Sequence, residues 1–289
     1  MHYVDVGPRD GNVMLLMHGM PTWSYLYRDM IPALTAARYR CIAPDFMGFD
    51  RSDKPTDIHW YTIARHTEIL TTPITALDFN DITLVSQDWG GSIGLAQAVH
   101  MPERFERLVI MNTWLHHPTD ECSCAIKFWN KNWQDGGIFH HEQPDLGLVV
   151  ATMGYGGGAE KMFSTFAEKT QQAPTDGAAD CYNGFSAPYR GLPDEAFNGF
   201  RRFPLSIPVS SYDNGNGAGQ THHFETLKKW SKPAHFIWGI EDLVFTEAWG
   251  REWAGPMNAS FDPIPGANHF LQDTHGKEVA AQILARAGG

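Results

Sequence analysis

The chain has 289 residues, 43% hydrophobic and 19% charged, with 22 Lys and Arg against 33 Asp and Glu, for a net charge of −11. That length can bury one large domain or a domain with an insertion, while the acidic balance without a basic stripe argues against nucleic-acid or anionic-membrane binding. No apolar run reaches the roughly 18 residues of a membrane-spanning helix, the start Met1-His2-Tyr3-Val4-Asp5 lacks a signal-peptide layout, and Cys41, Cys122, Cys124 and Cys181 form neither a disulfide framework nor a zinc spacing, so the expectation is a reduced, cytoplasmic protein without a metal.

Val13–Met17 is a continuous apolar run ending in His18-Gly19, the pattern of a fully buried strand. Tyr39–Asp45, Ile82–Val85 and Arg107–Asn112 read the same way, separated by helical patterns over Trp23–Ala37, Tyr61–Leu77 and Gly91–His100. Alternating strands and helices predict a mostly parallel sheet with helices on both faces, an α/β fold. Between about Trp114 and Lys228 the alternation stops, and the segment is rich in Trp, Phe, Gly and Pro. Helices are predicted there near Ala125–Asp135 and Glu160–Gln171, with flexible loops at Gly154–Gly158 and Asn214–Gly217. The alternation resumes with strands at Ala234–Trp238 and Ala259–Pro263 and a helix at Lys277–Arg286. The expected organisation is a core of residues 1–113 and 229–289, with residues 114–228 inserted as a helical cap over the carboxyl ends of the strands, where open α/β sheets place ligands.

The segment Ser86-Gln87-Asp88-Trp89-Gly90-Gly91 carries the most chemistry. It lies between a strand and a helix and has the small-x-nucleophile-x-small spacing of a nucleophile elbow, with aspartate in the nucleophile position. A carboxylate there displaces a leaving group from saturated carbon, and water then hydrolyses the ester at its carboxyl carbon. Taken alone, the same segment also reads as an Asp N-cap on an ordinary helix. Two further groups weigh against that reading. Asp242 follows a late strand, His269 precedes the last helix, and the order Asp88, Asp242, His269 is that of α/β hydrolases. Histidine suits a base that takes a proton from water near neutral pH, and the acid orients its ring. The backbone N–H groups of Met20 and Trp89 are the natural donors to the oxyanion formed during ester breakdown.

The runs His18–Arg28 (HGMPTWSYLYR), Pro44–Pro55 (PDFMGFDRSDKP) and Ser86–Gly91 (SQDWGG) resemble the haloalkane dehalogenase family of α/β hydrolases. The resemblance implies that Asp88 attacks the halogen-bearing carbon, that His269 with Asp242 activates water, and that the substrates are a halogenated alkane and water. It implies no cofactor. Trp89 matches one halide-binding position; for the second indole donor Trp129 fits best, with Trp133 one turn further as the fallback. Met20 departs from the family in replacing a polar side chain that helps place the hydrolytic water. The segment His2–Gly7 resembles the family's second strand, so the usual first strand is expected to be missing and the sheet edge unpaired or differently paired.

Two other readings stay open. An epoxide hydrolase uses the same Asp nucleophile with tyrosine donors, for which Tyr155, Tyr182 and Tyr189 are available in the cap. A non-catalytic ligand receptor on a hydrolase fold is the other, and the complete Asp88, Asp242 and His269 set argues against it. The pairs His116-His117, His140-His141 and His222-His223 read as surface-loop residues, Asp45 and Asp50–Asp53 as structural turn residues, and Ser86 as part of the elbow. The Trp, Phe and Met content of the cap predicts an apolar pocket suited to alkyl halides over charged haloacids.

Overall fold

A computed structural model describes residues 1–115, 122–137, 145–155, 178–208 and 216–287. Seven strands form one sheet: β1 (Tyr3–Val6), β2 (Val13–Met17), β3 (Arg40–Pro44), β4 (Ile82–Gln87), β5 (Phe105–Met111), β6 (Ala234–Gly239) and β7 (Ser260–Ile264). Their order is β1-β3-β2-β4-β5-β6-β7, with β1 antiparallel to β3 and every other pair parallel. Side chains alternate across the sheet, and the core divides accordingly. Leu15, Met17 and Leu84 pack into one apolar cluster, while Met14, Leu16 and Val85 pack into another. Burial on both faces is why β2 is a uniformly apolar stretch and why every residue of β4 is buried, with no alternation of buried and exposed positions.

Helices α1 (Ile31–Ala36), α2 (Ile63–Ala76) and α3 (Trp89–His100) connect the first parallel strands. Between β5 and β6 the described residues hold five helices, α4 (Cys124–Trp133), α5 (Leu146–Tyr155), α6 (Ala178–Ser186), α7 (Asn198–Leu205) and α8 (Gly217–Leu227). Then α9 (Glu247–Ala254) precedes β7, and α10 (Leu271–Thr274) and α11 (Gly276–Ala287) close the chain. Among the described residues no helix is long and apolar enough to cross a membrane.

Several sequence expectations shift. The pattern over Trp23–Ala37 is two pieces, a 3₁₀ turn at Ser24–Tyr27 and α1, because Pro32 has no N–H to donate and fits only the first turn of a new helix. The strand expected to end at Asn112 ends at Met111, since Asn112 takes a φ of 27°. Gly154 and Tyr155 lie inside α5 and Gly217 begins α8, not loops; residues 156–158, Asn214, Gly215 and the helix expected at Glu160–Gln171 lie outside the described residues. His222-His223 sits on α8 rather than in a surface loop, with His223 buried and its Nε2 3.3 Å from that of His100. The other two histidine pairs lie outside the described residues. At the sheet edge β1 is paired with β3, from Tyr3 opposite Pro44 to Val6 opposite Cys41, and no described strand flanks its other side. Arg40 clamps it by donating to both carboxylate oxygens of Asp5 at 2.9 and 2.8 Å.

Candidate active site

Apart from Trp129 and Trp133, which lie on α4, the residues of the site sit beyond the carboxyl ends of strands. His18 to Pro21 follow β2, Asp88 follows β4, Asn112 follows β5, Asp242 follows β6 and His269 follows β7. Parallel strands in register, such as Met17 opposite Ser86 and Gln87 opposite Met111, bring these loops to one rim of the sheet.

Asp88 has φ 51° and ψ −129°, a backbone conformation that L-residues rarely adopt. Three hydrogen bonds hold it there. Its N–H donates to the Asn112 carbonyl (3.0 Å), while its own carbonyl accepts from Gly91 N–H (2.9 Å) and the Thr113 hydroxyl (2.6 Å). The turn closes only with small neighbours: a Cβ on Gly90 would lie 2.2 Å from the Met17 carbonyl oxygen, and one on Gly91 2.0 Å from Thr113 Oγ1. The Asp88 side chain makes no cap hydrogen bond to α3, unlike an ordinary N-cap aspartate. Instead, Oδ1 accepts from Met20 N–H at 2.7 Å, and Oδ2 lies 3.5 Å from His269 Nε2. The N-terminal end of α3 begins at the next residue.

The loop carrying Met20 is held by His18. Buried and pulled below the usual histidine range by that burial, the neutral ring donates from Nδ1 to the Gly19 carbonyl (2.8 Å) and accepts Phe46 N–H at Nε2 (3.0 Å).

His269 Nδ1 donates to Asp242 Oδ2 at 2.9 Å. Burial alone would lower the proton affinity of this ring, but the charge and hydrogen bond of Asp242, with those of Asp88, outweigh it and push the group up to about 10. Asp242 is itself fixed: Val244 N–H donates to Oδ1 (2.7 Å) and Asn112 Nδ2 to Oδ2 (2.9 Å). Asn112 also exchanges two bonds with the Gly239 backbone, at 3.0 and 2.8 Å. One asparagine therefore links the backbone of Asp88 to the side chain of Asp242. Sequence reasoning missed it, because its partners lie far along the chain.

Asp88, Asp242 and His269 line a single cavity with Trp89 and Trp129. Met20, Trp114, Ile126, Met153, Ile207 and Phe245 are part of its apolar wall. Trp133 does not line it and packs at 67° against Trp129, with ring centroids 5.4 Å apart. Trp114 was not foreseen; its position directly after a strand end was the available signal. Exposed Glu241 and Leu243 stand at the rim. No tyrosine lines the cavity among the described residues: the Tyr182 hydroxyl donates to Asp145 (3.1 Å), and that of Tyr189 accepts Asp50 N–H (2.6 Å). The side chain of Tyr155 lies outside the description.

Outside the cavity, one described group of three, His2, Asp45 and Asp50, brings possible metal-ligating atoms within 4.8 Å of one another. Asp45 there has structural partners, accepting from Ser24 N–H (2.8 Å) and pairing with His2 Nδ1 (2.6 Å).

The α/β hydrolase fold family matches residues 12–276. A haloalkane dehalogenase of Psychrobacter cryohalolentis is 38% identical over 288 residues, covering 98% of this chain and 86% of that protein. One from Mycobacterium marinum is 35% identical, covering 99% and 88%. Among solved structures, the tetrameric haloalkane dehalogenase DpaA from Paraglaciecola agarilytica superposes with a TM-score of 0.81 at 32% identity, over 98% of this chain and 86% of that one. With a matching fold, near full-length relatives and a cavity built around an elbow aspartate, this chain belongs to the haloalkane dehalogenase family of α/β hydrolases.

Proposed function

We propose that this protein is a cytoplasmic, cofactor-independent dehalogenase that converts neutral haloalkanes to alcohol and halide, with residues 1–113 and 229–289 as its core and 114–228 as its cap. The observation that carries the reading is the meeting of a strained elbow aspartate, a His–Asp pair and two indoles in one apolar cavity.

In the first half-reaction Asp88 Oδ2 attacks the halogen-bearing carbon in line. The new C–O bond forms as the carbon–halogen bond breaks, and both electrons leave with the halide. The indole N–H groups of Trp89 and Trp129 receive it. In the second half-reaction His269 Nε2 takes a proton from water as the water oxygen adds to Asp88 Cγ. Charge develops on Oδ1, which already faces Met20 N–H at 2.7 Å, and the backbone N–H of Trp89 is the second donor. Collapse releases the alcohol, which takes its proton from His269 and keeps the oxygen that was Oδ2. The side chain of Met20 offers the water no polar contact. The epoxide hydrolase reading needs acidic hydroxyls directed at the opening epoxide oxygen, and Tyr182 and Tyr189 are engaged elsewhere.

The test is bromide release from 1-bromobutane, 1-bromohexane and 1,2-dibromoethane, with Asp88→Asn as control. Release that vanishes in the folded variant is expected. No release by the wild-type protein overturns the reaction class, and release retained by the variant overturns the covalent mechanism.

A further inference from the structure

We propose that Gln87 is a positioning residue that holds His269 in its proton-accepting form for the ester-hydrolysis half-reaction, an inference that rests on the function proposed above. Gln87 ends β4 and is fully buried, one residue before the nucleophile. Its Nε2 lies 3.0 Å from the His269 carbonyl oxygen and 3.2 Å from His269 Nε2. A carbonyl only accepts, so the NH₂ end of the amide must face His269. The opposite orientation would press two carbonyl oxygens together. Oε1 consequently turns away and finds no hydrogen-bond partner among the described residues. Leaving a buried acceptor unmatched costs on the order of 1–3 kcal/mol. A residue serving only to fill space there would be better as methionine or leucine, so the amide answers a polar requirement on the histidine side.

With the amide oriented this way, its second N–H points at His269 Nε2, and only a lone pair there can receive it. Asp242 already holds the ring proton on Nδ1 at 2.9 Å. Asp242 and Gln87 together specify the Nδ1–H tautomer with Nε2 bare, the form required of a base. The ionisable groups facing the ring are Asp242, from the loop after β6, and Asp88, from the elbow. Both draw a second proton onto it. Glu241 stands at the cavity rim, and the adjoining rings of Phe245 and Phe270 carry no charge. Gln87 is the neighbour that opposes protonation, since an imidazolium N–H would face an amide N–H. At 3.2 Å the N–H···Nε2 bond is at the long end of the normal range, so an incoming water competes for the same lone pair on favourable terms.

The experiment follows Gln87→Met, which keeps the length of the side chain and removes its donors. It measures the single-turnover bromide burst, the steady-state kcat for 1-bromohexane from pH 6 to 10, and the mass of any accumulated alkyl-enzyme. The burst should stay within about threefold while hydrolysis slows roughly tenfold or more and adduct accumulates. The acidic limb of the hydrolysis profile should move up by about one unit, because His269 takes a second proton more readily. Gln87→Glu, with the same shape and an added negative charge, should move it further and serves if the methionine variant fails to fold. Equal losses in burst and hydrolysis with an unmoved limb would assign Gln87 a packing role and overturn the proposal. Absence of any burst in the wild-type protein is a different outcome, which overturns the proposed function itself.

Discussion

Gly19 is where the geometry makes its sharpest demand. A Cβ at that position would stand 2.1 Å from Asp88 Oδ1, 2.4 Å from Asp88 Cβ and 2.6 Å from Cγ. Comfortable carbon contacts begin near about 3.5 Å, so the whole aspartate side chain, and not only a flexible tip, has to retreat by about 1 Å. It has little freedom to do so, because three hydrogen bonds pin its backbone at φ 51°. Gly19→Ala should therefore cost ~1–3 kcal/mol of stability through overpacking. It should also pull Oδ1 off the Met20 N–H and misalign Oδ2 for attack, lowering the rate of alkylation by roughly a hundredfold. A single-turnover bromide burst at saturating 1-bromohexane measures that rate, with a thermal melt to establish that the variant is folded at the assay temperature. A folded Gly19→Ala protein whose burst lies within about threefold of wild type would refute the claim that this close approach sets the nucleophile's position.

His269→Phe removes the hydrolytic base but not the nucleophile, so one equivalent of bromide should appear and the protein should gain the mass of the alkyl group; bromide release with no adduct would sink the role assigned to His269. The same histidine also predicts a pH dependence of stability. Its folded value of about 10 stands above the unfolded 6.5, so its contribution, on the order of a few kcal/mol, is fully present below pH 6.5 and is lost as pH rises toward 10. Urea unfolding of wild type and His269→Phe should then show a stability gap that narrows across that window, and a gap constant with pH would contradict the raised proton affinity.

The strands were legible where burial on both faces left no choice of residue. Val13–Met17 is apolar throughout because each side chain meets one of two core clusters, and Ile82, Leu84 and Val85 follow the same rule around the buried Thr83. The elbow was legible because its turn tolerates only small neighbours, which leaves Gly90 and Gly91 in the sequence as a visible trace. The helical insert was much less so. There the signal is amphipathic, and α5, with Val149 and Val150 both buried, reads as plain apolar chain with no marked face. Asn112 was invisible for a different reason. Its two bonds to Gly239 and one to Asp242 span 127 and 130 residues, and nothing local distinguishes it from any polar residue at a strand end. His223 was misread because an adjacent histidine pair looks solvent-facing until a helix turns one ring inward onto His100.

In the proposed mechanism the two half-reactions place opposite demands on His269, and the arrangement of charge around it would reconcile them. While Asp88 is a carboxylate, its Oδ2 and Asp242 both draw a second proton toward the ring, against the opposing N–H of Gln87, and a ring that took it would be a poor base. Alkylation converts Asp88 into a neutral ester and withdraws one of those two anions. The proton affinity of the ring must then fall, at the moment when the ester needs a base to activate water. Asp242 remains, so the ring keeps its orientation and its Nδ1 proton, while Gln87 continues to favour a bare Nε2. When hydrolysis regenerates the carboxylate, the attraction returns with it. The charge on the nucleophile thus switches its neighbour between the two steps, with no moving part required.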